Sequence, residues 1–88
     1  LGDGNLHYCI FPPEKKVNNF IENEEQIKSV VYDSIGKYGG SFSAEHGIGT
    51  SKLSAMAEYK DPVALEIMKT IKNSLDPKNI MNPGKLIP

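Results

Sequence analysis

The chain has 88 residues, with ten basic and eleven acidic side chains and a net charge of -1. A chain of this length has room for one small domain, which buries only about 60 to 65% of its unfolded surface. The charge balance provides no basic surface for phosphate backbones, so nucleic-acid binding is not expected, and no apolar run approaches the roughly 20 residues that span a bilayer.

The types of the basic and sulfur-containing side chains further limit which ligands and bonds these residues can form. All ten basic residues are lysine, so any arginine that clamps a carboxylate must come from outside these residues. Cys9 is the single cysteine, which excludes an internal disulfide and fits a reducing compartment.

The first elements in chain order are a predicted turn and a predicted strand. Residues 1–5 contain Asp3-Gly4 and Asn5, which tolerate the left-handed angles of tight turns. Residues 6–11 are rich in strand formers and are stopped by two prolines. In such a strand His7 would share one face with other polar groups, and the apolar alternate side chains would face the core.

Two long helices are predicted further along, separated by a loop. After a polar loop at residues 14–19, Asn23 with Gln26 three residues later predicts a capping box for the first long helix. Apolar side chains then recur at helical spacing, and Gly39-Gly40 ends the pattern. A short strand is expected at residues 41–44.

The second half predicts a short helix and then a long one. Residues 51–60 form the short helix, and Asp61-Pro62 supplies a cap followed by proline at the first position of the long one. Asp76-Pro77 stops it, and residues 78–85 predict two successive turns. These elements predict an α+β fold of ferredoxin-like type, with about two short strands, two long helices and one short helix. Too few strands are present for a closed sheet, so further strands should precede these residues.

The loop at residues 39–49 carries an acid and an imidazole side by side. Glu45 supplies a negative charge, and His46 can take or give a proton near neutral pH. Glycines on both sides allow close approach of a ligand. Adjacent side chains of an extended segment point in opposite directions, so the two residues are expected to have different roles. The alternative is an ordinary polar loop between helices.

His7 completes the set of residues with obvious chemistry. A lone histidine on a strand is more often structural than catalytic. Two histidines and a glutamate can nevertheless fill three positions of a zinc-type site and leave one open for substrate. The residues alone leave both interpretations open.

Three segments taken together resemble a known family. They are Leu-Gly-Asp-Gly-Asn-Leu-His at residues 1–7, Gly-Ser-Phe-Ser-Ala-Glu-His-Gly-Ile-Gly at residues 40–49, and Leu-Asp-Pro through Asn-Pro-Gly-Lys-Leu at residues 75–86. Their order and separations resemble the C-terminal domain of FAD-linked oxidases of the vanillyl-alcohol-oxidase type. Within that family the chain is similar to the branch of D-lactate dehydrogenase, the glycolate oxidase flavin subunit and D-2-hydroxyglutarate dehydrogenase.

The resemblance implies roles for five residues. His46 would be the catalytic base, and Asn82 and Gly47 would lie against the flavin of FAD. In metal-dependent members His7 and Glu45 would be ligands of zinc or another divalent metal. The family's further histidine ligand would stand just before residue 1.

The resemblance also implies a function and partners. Residues 1–88 would be the incomplete C-terminal part of a dehydrogenase that oxidises a small 2-hydroxy acid, such as D-lactate, glycolate or D-2-hydroxyglutarate, with hydride transfer to flavin. The FAD-binding domain would be a separate N-terminal part of the same protein, and this part alone would be inactive. A cytoplasmic or mitochondrial-matrix location is expected, with membrane association of the full protein left open. The alternative is a metal-binding or structural interaction domain without redox activity.

Overall fold

The structure is a computed structural model that describes residues 2–88; Leu1, the first residue of the predicted turn, lies outside the described residues. Residues 2–88 contain four helices: α1, Val17–Glu22; α2, Glu24–Lys37; α3, Leu53–Tyr59; and α4, Pro62–Leu75. The chain divides into two compact units between residues 44 and 45, so that α1 and α2 belong to the first unit and α3 and α4 to the second. No helix within this described range is long and apolar enough to cross a membrane.

The prediction of an α+β, ferredoxin-like fold is wrong, because residues 2–88 contain no strand. A strand is stabilised by a hydrogen-bonded neighbour, and no ladder forms at residues 6–11. The apolar side chains expected to face a core there are instead exposed, Leu6 by 79% and Tyr8 by 78%. At residues 41–44 the Ser41 hydroxyl accepts the Ser43 N–H at 3.3 Å and donates to the Ser43 carbonyl at 3.1 Å, a local turn that competes with strand pairing.

The junction between α1 and α2 differs from the predicted capping box. Residues 14–19 were expected to form a loop, but α1 begins within them, at Val17. The Asn23 side chain donates to the Asn19 carbonyl at 2.6 Å, and the Asn23 N–H donates to the same oxygen at 3.2 Å. Asn23 therefore satisfies the C-terminal end of α1, and its side chain makes no cap hydrogen bond to α2.

The glycine pair ends α2 as predicted. The Gly40 N–H donates to the Ile35 carbonyl at 3.0 Å, and the Gly39 N–H donates to the Gly36 carbonyl at 3.1 Å. These two bonds form a Schellman motif, for which Gly39 takes the left-handed φ of 66°. A Cβ at Gly40 would lie 2.8 Å from Ile35 Cγ2, so this turn requires glycine at a second position as well.

The second unit has the better-formed helix boundaries. The predicted short helix is present as α3, and α4 follows the predicted bounds. Asp61 Oδ2 accepts the Ala64 N–H at 2.8 Å, which confirms the predicted cap. Among the described residues the buried apolar side chains are those of Ala55, Met56 and Leu65, and all of them belong to this unit.

Candidate functional site

The acid and imidazole of the predicted site loop are in contact. His46 Nε2 lies 3.1 Å from Glu45 Oε1, and the two side chains are 83% and 49% exposed respectively. The expectation that they point in opposite directions is wrong, because the chain bends at residues 44–46 and no strand forms there. The first two residues of the second unit thus form one pair.

This pair has a defined chemical asymmetry. A carboxylate only accepts hydrogen bonds, so Glu45 at this distance favours the tautomer of a neutral His46 imidazole that has its proton on Nε2. The lone pair is then on Nδ1, the nitrogen that can accept a proton from a bound molecule. A base whose second nitrogen is held by an acid is a recurring arrangement in general-base catalysis.

Gly47 leaves the next position of the loop open to a flat ligand. Its φ is 75°, and apart from Gly47 and its two chain neighbours no atom of residues 2–88 lies within 4 Å of the place where a Cβ would stand. Its carbonyl accepts a hydrogen bond from Lys52 Nζ at 3.2 Å, which holds the peptide plane from one side. An aromatic ring can therefore approach this backbone more closely than it could approach any other residue type.

The segment that contains Asn82 is joined to the same loop. The Leu86 N–H donates to the Gly49 carbonyl at 2.9 Å. Asn82 itself is exposed and has a φ of 48°, a left-handed conformation that asparagine adopts more readily than most residues. The two segments predicted to contact a flavin thus belong to one unit and share a backbone hydrogen bond.

His7 belongs to the first unit, where it is exposed and follows the predicted turn. In that turn the Asn5 N–H donates to Asp3 Oδ1 at 3.0 Å. Catalytic zinc usually has three protein ligands, and residues 2–88 contain no group of three histidine, cysteine, aspartate or glutamate side chains that could hold a metal. The metal role that the resemblance implies for His7 and Glu45 stays a prediction.

The carboxylate of Asp76, which the sequence predicts only as part of the stop of α4, is buried and has several partners. Lys72 Nζ pairs with Asp76 Oδ2, and the Met81 and Ile80 N–H groups donate to the same carboxylate. The Lys72 hydrogen bond lowers the pKa of Asp76, and the two backbone donors lower this pKa further, while desolvation opposes them. The i,i+4 spacing of lysine and aspartate at the end of α4 was the signal in the sequence.

Comparison with known proteins shows the family of the chain. Residues 1–86 match the family described as "FAD linked oxidases, C-terminal domain". The chain therefore belongs to the FAD-linked oxidase family, which confirms the resemblance drawn from its three segments and supports FAD as the cofactor.

Three similar proteins are named as dehydrogenases of D-2-hydroxyglutarate or D-lactate. The chain is 39% identical to D-2-hydroxyglutarate dehydrogenase of Stutzerimonas stutzeri, over 98% of this chain and 19% of the relative. It is 41% identical to the mitochondrial D-lactate dehydrogenase (cytochrome) of Arabidopsis thaliana, over 99% of this chain and 15% of the relative. A D-lactate dehydrogenase of Anaerostipes hadrus is 38% identical over 97% of this chain and 18% of the relative. The chain thus spans less than a fifth of the length of each relative.

Proposed function

We propose that this chain is the C-terminal catalytic segment of a longer FAD-dependent dehydrogenase that oxidises a small D-2-hydroxy acid to the 2-oxo acid. The contact between His46 Nε2 and Glu45 Oε1 carries the proposal. Family membership supports the cofactor, and the names of relatives, for D-2-hydroxyglutarate and D-lactate, support the substrate class. An N-terminal part of the same protein would supply the FAD-binding domain.

In the proposed reaction this chain moves the hydroxyl proton. Glu45 orients the imidazole through Nε2, and His46 Nδ1 accepts the proton from the 2-hydroxyl group of the substrate. Bound FAD would supply the acceptor for the hydride that leaves C2, the carbon that carries this hydroxyl group. Gly47 lets the loop approach the ring closely, and Asn82 contributes a polar contact from the tail.

The test is the rate of flavin reduction in the full-length protein. D-Lactate, glycolate and D-2-hydroxyglutarate are mixed in turn with the wild type and with His46→Ala. Loss of a general base is expected to slow reduction by about 100-fold to 10,000-fold for the true substrate. Lys60→Ala, an exposed position after α3, is the matched surface control. An unchanged rate in His46→Ala would remove His46 from the role of base.

Two outcomes favour the rival function, a binding or structural domain without redox activity. The first is a full-length protein that purifies without flavin under conditions in which added FAD does not bind. The second is a flavin that none of the three hydroxy acids reduces. Either result would contradict the proposal that the loop with Glu45 and His46 takes part in the oxidation of a hydroxy acid.

A divalent metal is a separate proposal, with His7 and Glu45 as two of its ligands. It rests on the resemblance, and no step of the reaction above uses it. Metal analysis of the purified full-length protein decides between the two roles of Glu45. If Glu45 is a ligand, Glu45→Gln removes most of the zinc or manganese. If Glu45 is the orienting acid, the same variant slows flavin reduction and leaves the metal content unchanged.

The location of the protein is proposed to be the cytoplasm or the mitochondrial matrix. Two plant relatives are named mitochondrial, and a reducing environment fits the exposed free thiol of Cys9. Fractionation of cells with an antibody to the full-length protein tests the proposal. Membrane association of the full protein would be seen as recovery with the membrane fraction.

A further inference from the structure

A buried charged group follows α4 directly and holds the chain beyond it. Asp76 is only 6% exposed. Its Oδ1 accepts the Ile80 N–H at 3.0 Å, and its Oδ2 accepts the Met81 N–H at 2.9 Å. Lys72 pairs with the same carboxylate and donates to the Met81 carbonyl at 2.6 Å. We name Lys72 and Asp76 the α4 clasp.

The α4 clasp fixes both polar groups of the peptide backbone at Met81, the residue before Asn82. The carboxylate holds the N–H, and the ammonium holds the carbonyl that belongs to the peptide bond leading into Asn82. The two peptide planes that flank Met81 are therefore each held by one charge-assisted hydrogen bond, the stronger kind in proteins. A clasp needed only to stabilise the helix end would not have to reach this peptide.

Asn82 adopts a conformation that requires such support. Its φ is 48°, and it stands directly before Pro83, whose ring favours extended conformations for the preceding residue. Asn79, three residues earlier, also has a positive φ, of 49°. Uncommon backbone conformations of this kind persist when the surrounding contacts over-determine them.

We infer that Asp76 and Lys72 are positioning residues that hold the backbone at Met81 so that the Asn82 side chain is presented to the flavin ring. The inference rests on the proposed contact between Asn82 and the flavin. The lowered pKa of Asp76 agrees with it, since the Lys72 and backbone hydrogen bonds favour the charged carboxylate. The α4 helix thereby acts as the support for one wall of the cofactor site.

The experiment compares three variants of the full-length flavoprotein. Asp76→Asn and Lys72→Met each remove one charge of the clasp. Asn82→Gly removes the proposed contact and retains a residue that adopts positive φ without strain. Lys69→Met is the matched control, because Lys69 lies on the same helix and pairs only with Glu66 among the contacts described for it, at 3.2 Å. Lys72→Arg tests for rescue by the conservative change.

The first readout is the absorption spectrum of the bound flavin without substrate. We expect Asp76→Asn and Lys72→Met to shift it in the same direction as Asn82→Gly, and Lys69→Met and Lys72→Arg to leave it close to the wild-type spectrum. The double variant of Asp76→Asn and Asn82→Gly should shift the spectrum no more than Asn82→Gly alone, because both changes remove one contact. An additive double variant would overturn the inference.

The second readout is the flavin reduction rate at saturating substrate. Misplacement of a group by about 1 Å can cost roughly 100-fold, so we expect the clasp variants to lose about 10-fold to 100-fold in this rate with a smaller change in KM. A variant that melts at lower temperature while its spectrum and reduction rate stay at the wild-type values would show a merely structural role and overturn the inference. Because Lys72→Met leaves the carboxylate and its two backbone donors in place, it supplies this comparison if Asp76→Asn does not fold.

The two proposals fail in distinguishable ways. The flavin spectrum is read without any hydroxy acid, so a protein whose flavin no hydroxy acid reduces would contradict the proposed substrate class and still decide the positioning role. If the flavin is reduced at the wild-type rate in both Asp76→Asn and Asn82→Gly, this result contradicts the positioning role and leaves the proposed reaction intact.

Discussion

Helices α2 and α4 have the same length, 14 residues each, and differ in what stabilises them. The α4 helix begins at a capped position, buries Leu65 and continues into the clasp at Asp76. Within residues 2–88 the α2 helix buries no side chain and has no side-chain cap hydrogen bond. Its described contacts include the ion pair of Lys28 with Glu24 at 2.7 Å and the ring contact of Tyr32 with Phe42, with centroids 5.6 Å apart.

Equal length and regular apolar spacing therefore do not give two helices the same stabilising contacts. Most helical stability in proteins comes from packing of one face, and local pairs add only a few tenths of a kcal/mol each. The α4 helix has buried contacts in its own unit and can therefore support the residues that follow it.

The largest expected effect comes from removing the buried apolar contact of α4. Leu65→Ala should lower the free energy of unfolding by about 2 to 3 kcal/mol, since it removes buried methyl groups and leaves a cavity. Val30→Ala in α2 is the matched change, and because Val30 is 62% exposed we expect a loss of less than about 0.5 kcal/mol. Urea unfolding of the full-length protein measures both, and equal losses would contradict the contrast between the helices.

An intermediate effect is expected from the helix caps. Asp61→Ala removes the side-chain oxygen that accepts the Ala64 N–H and should cost about 1 kcal/mol. Asn23→Ala at the start of α2 should cost less, because Asn23 gives no such bond to α2. The same urea measurement compares the two variants; a larger loss for Asn23→Ala would show that its bond to Asn19 matters more than the cap of α4.

The sequence predicted both ends of α4 and the first residue of α2 correctly, but it predicted the wrong partner for the Asn23 side chain, for a physical reason. Asp61-Pro62 and Asp76-Pro77 act within one turn of chain, so local chemistry sets both ends of α4. Asn23 stands between two helices and can serve either, and it serves α1, a six-residue helix too short to show a clear apolar period. Whether such a side chain bonds to the preceding or to the following helix depends on contacts that residue spacing does not reveal.

The strands and the site show the same limit. A strand requires a neighbouring segment to pair with, and composition at residues 6–11 gives no information about such a neighbour. The sequence did predict which loop carries the acid and the imidazole. It did not predict that Glu45 and His46 touch, because the expectation assumed an extended backbone where the chain bends.

The smallest effect is expected from the exposed charged pair of Lys28 with Glu24 in α2, and pH separates this pair from the clasp of α4. The folded-state pKa of Asp76 is lowered from its ordinary 3.8, so its stabilisation is present above that value and is lost as the pH falls through the lowered pKa. The folded-state pKa of Lys28 is raised from 10.5, chiefly by its hydrogen bond to Glu24. The stabilisation from Lys28 is therefore present below that value and is lost as the pH rises through the raised pKa.

Unfolding in urea at a series of pH values tests both signs. Asp76→Asn should flatten the acid side of the stability profile and leave the alkaline side unchanged. Lys28→Met should flatten only the alkaline side, and by only about 0.3 to 0.5 kcal/mol, because its partners are exposed and solvent weakens the attraction. If Lys28→Met flattened the acid side, or if Asp76→Asn kept the wild-type acid sensitivity, then the clasp would not be the charged group that distinguishes α4 from α2.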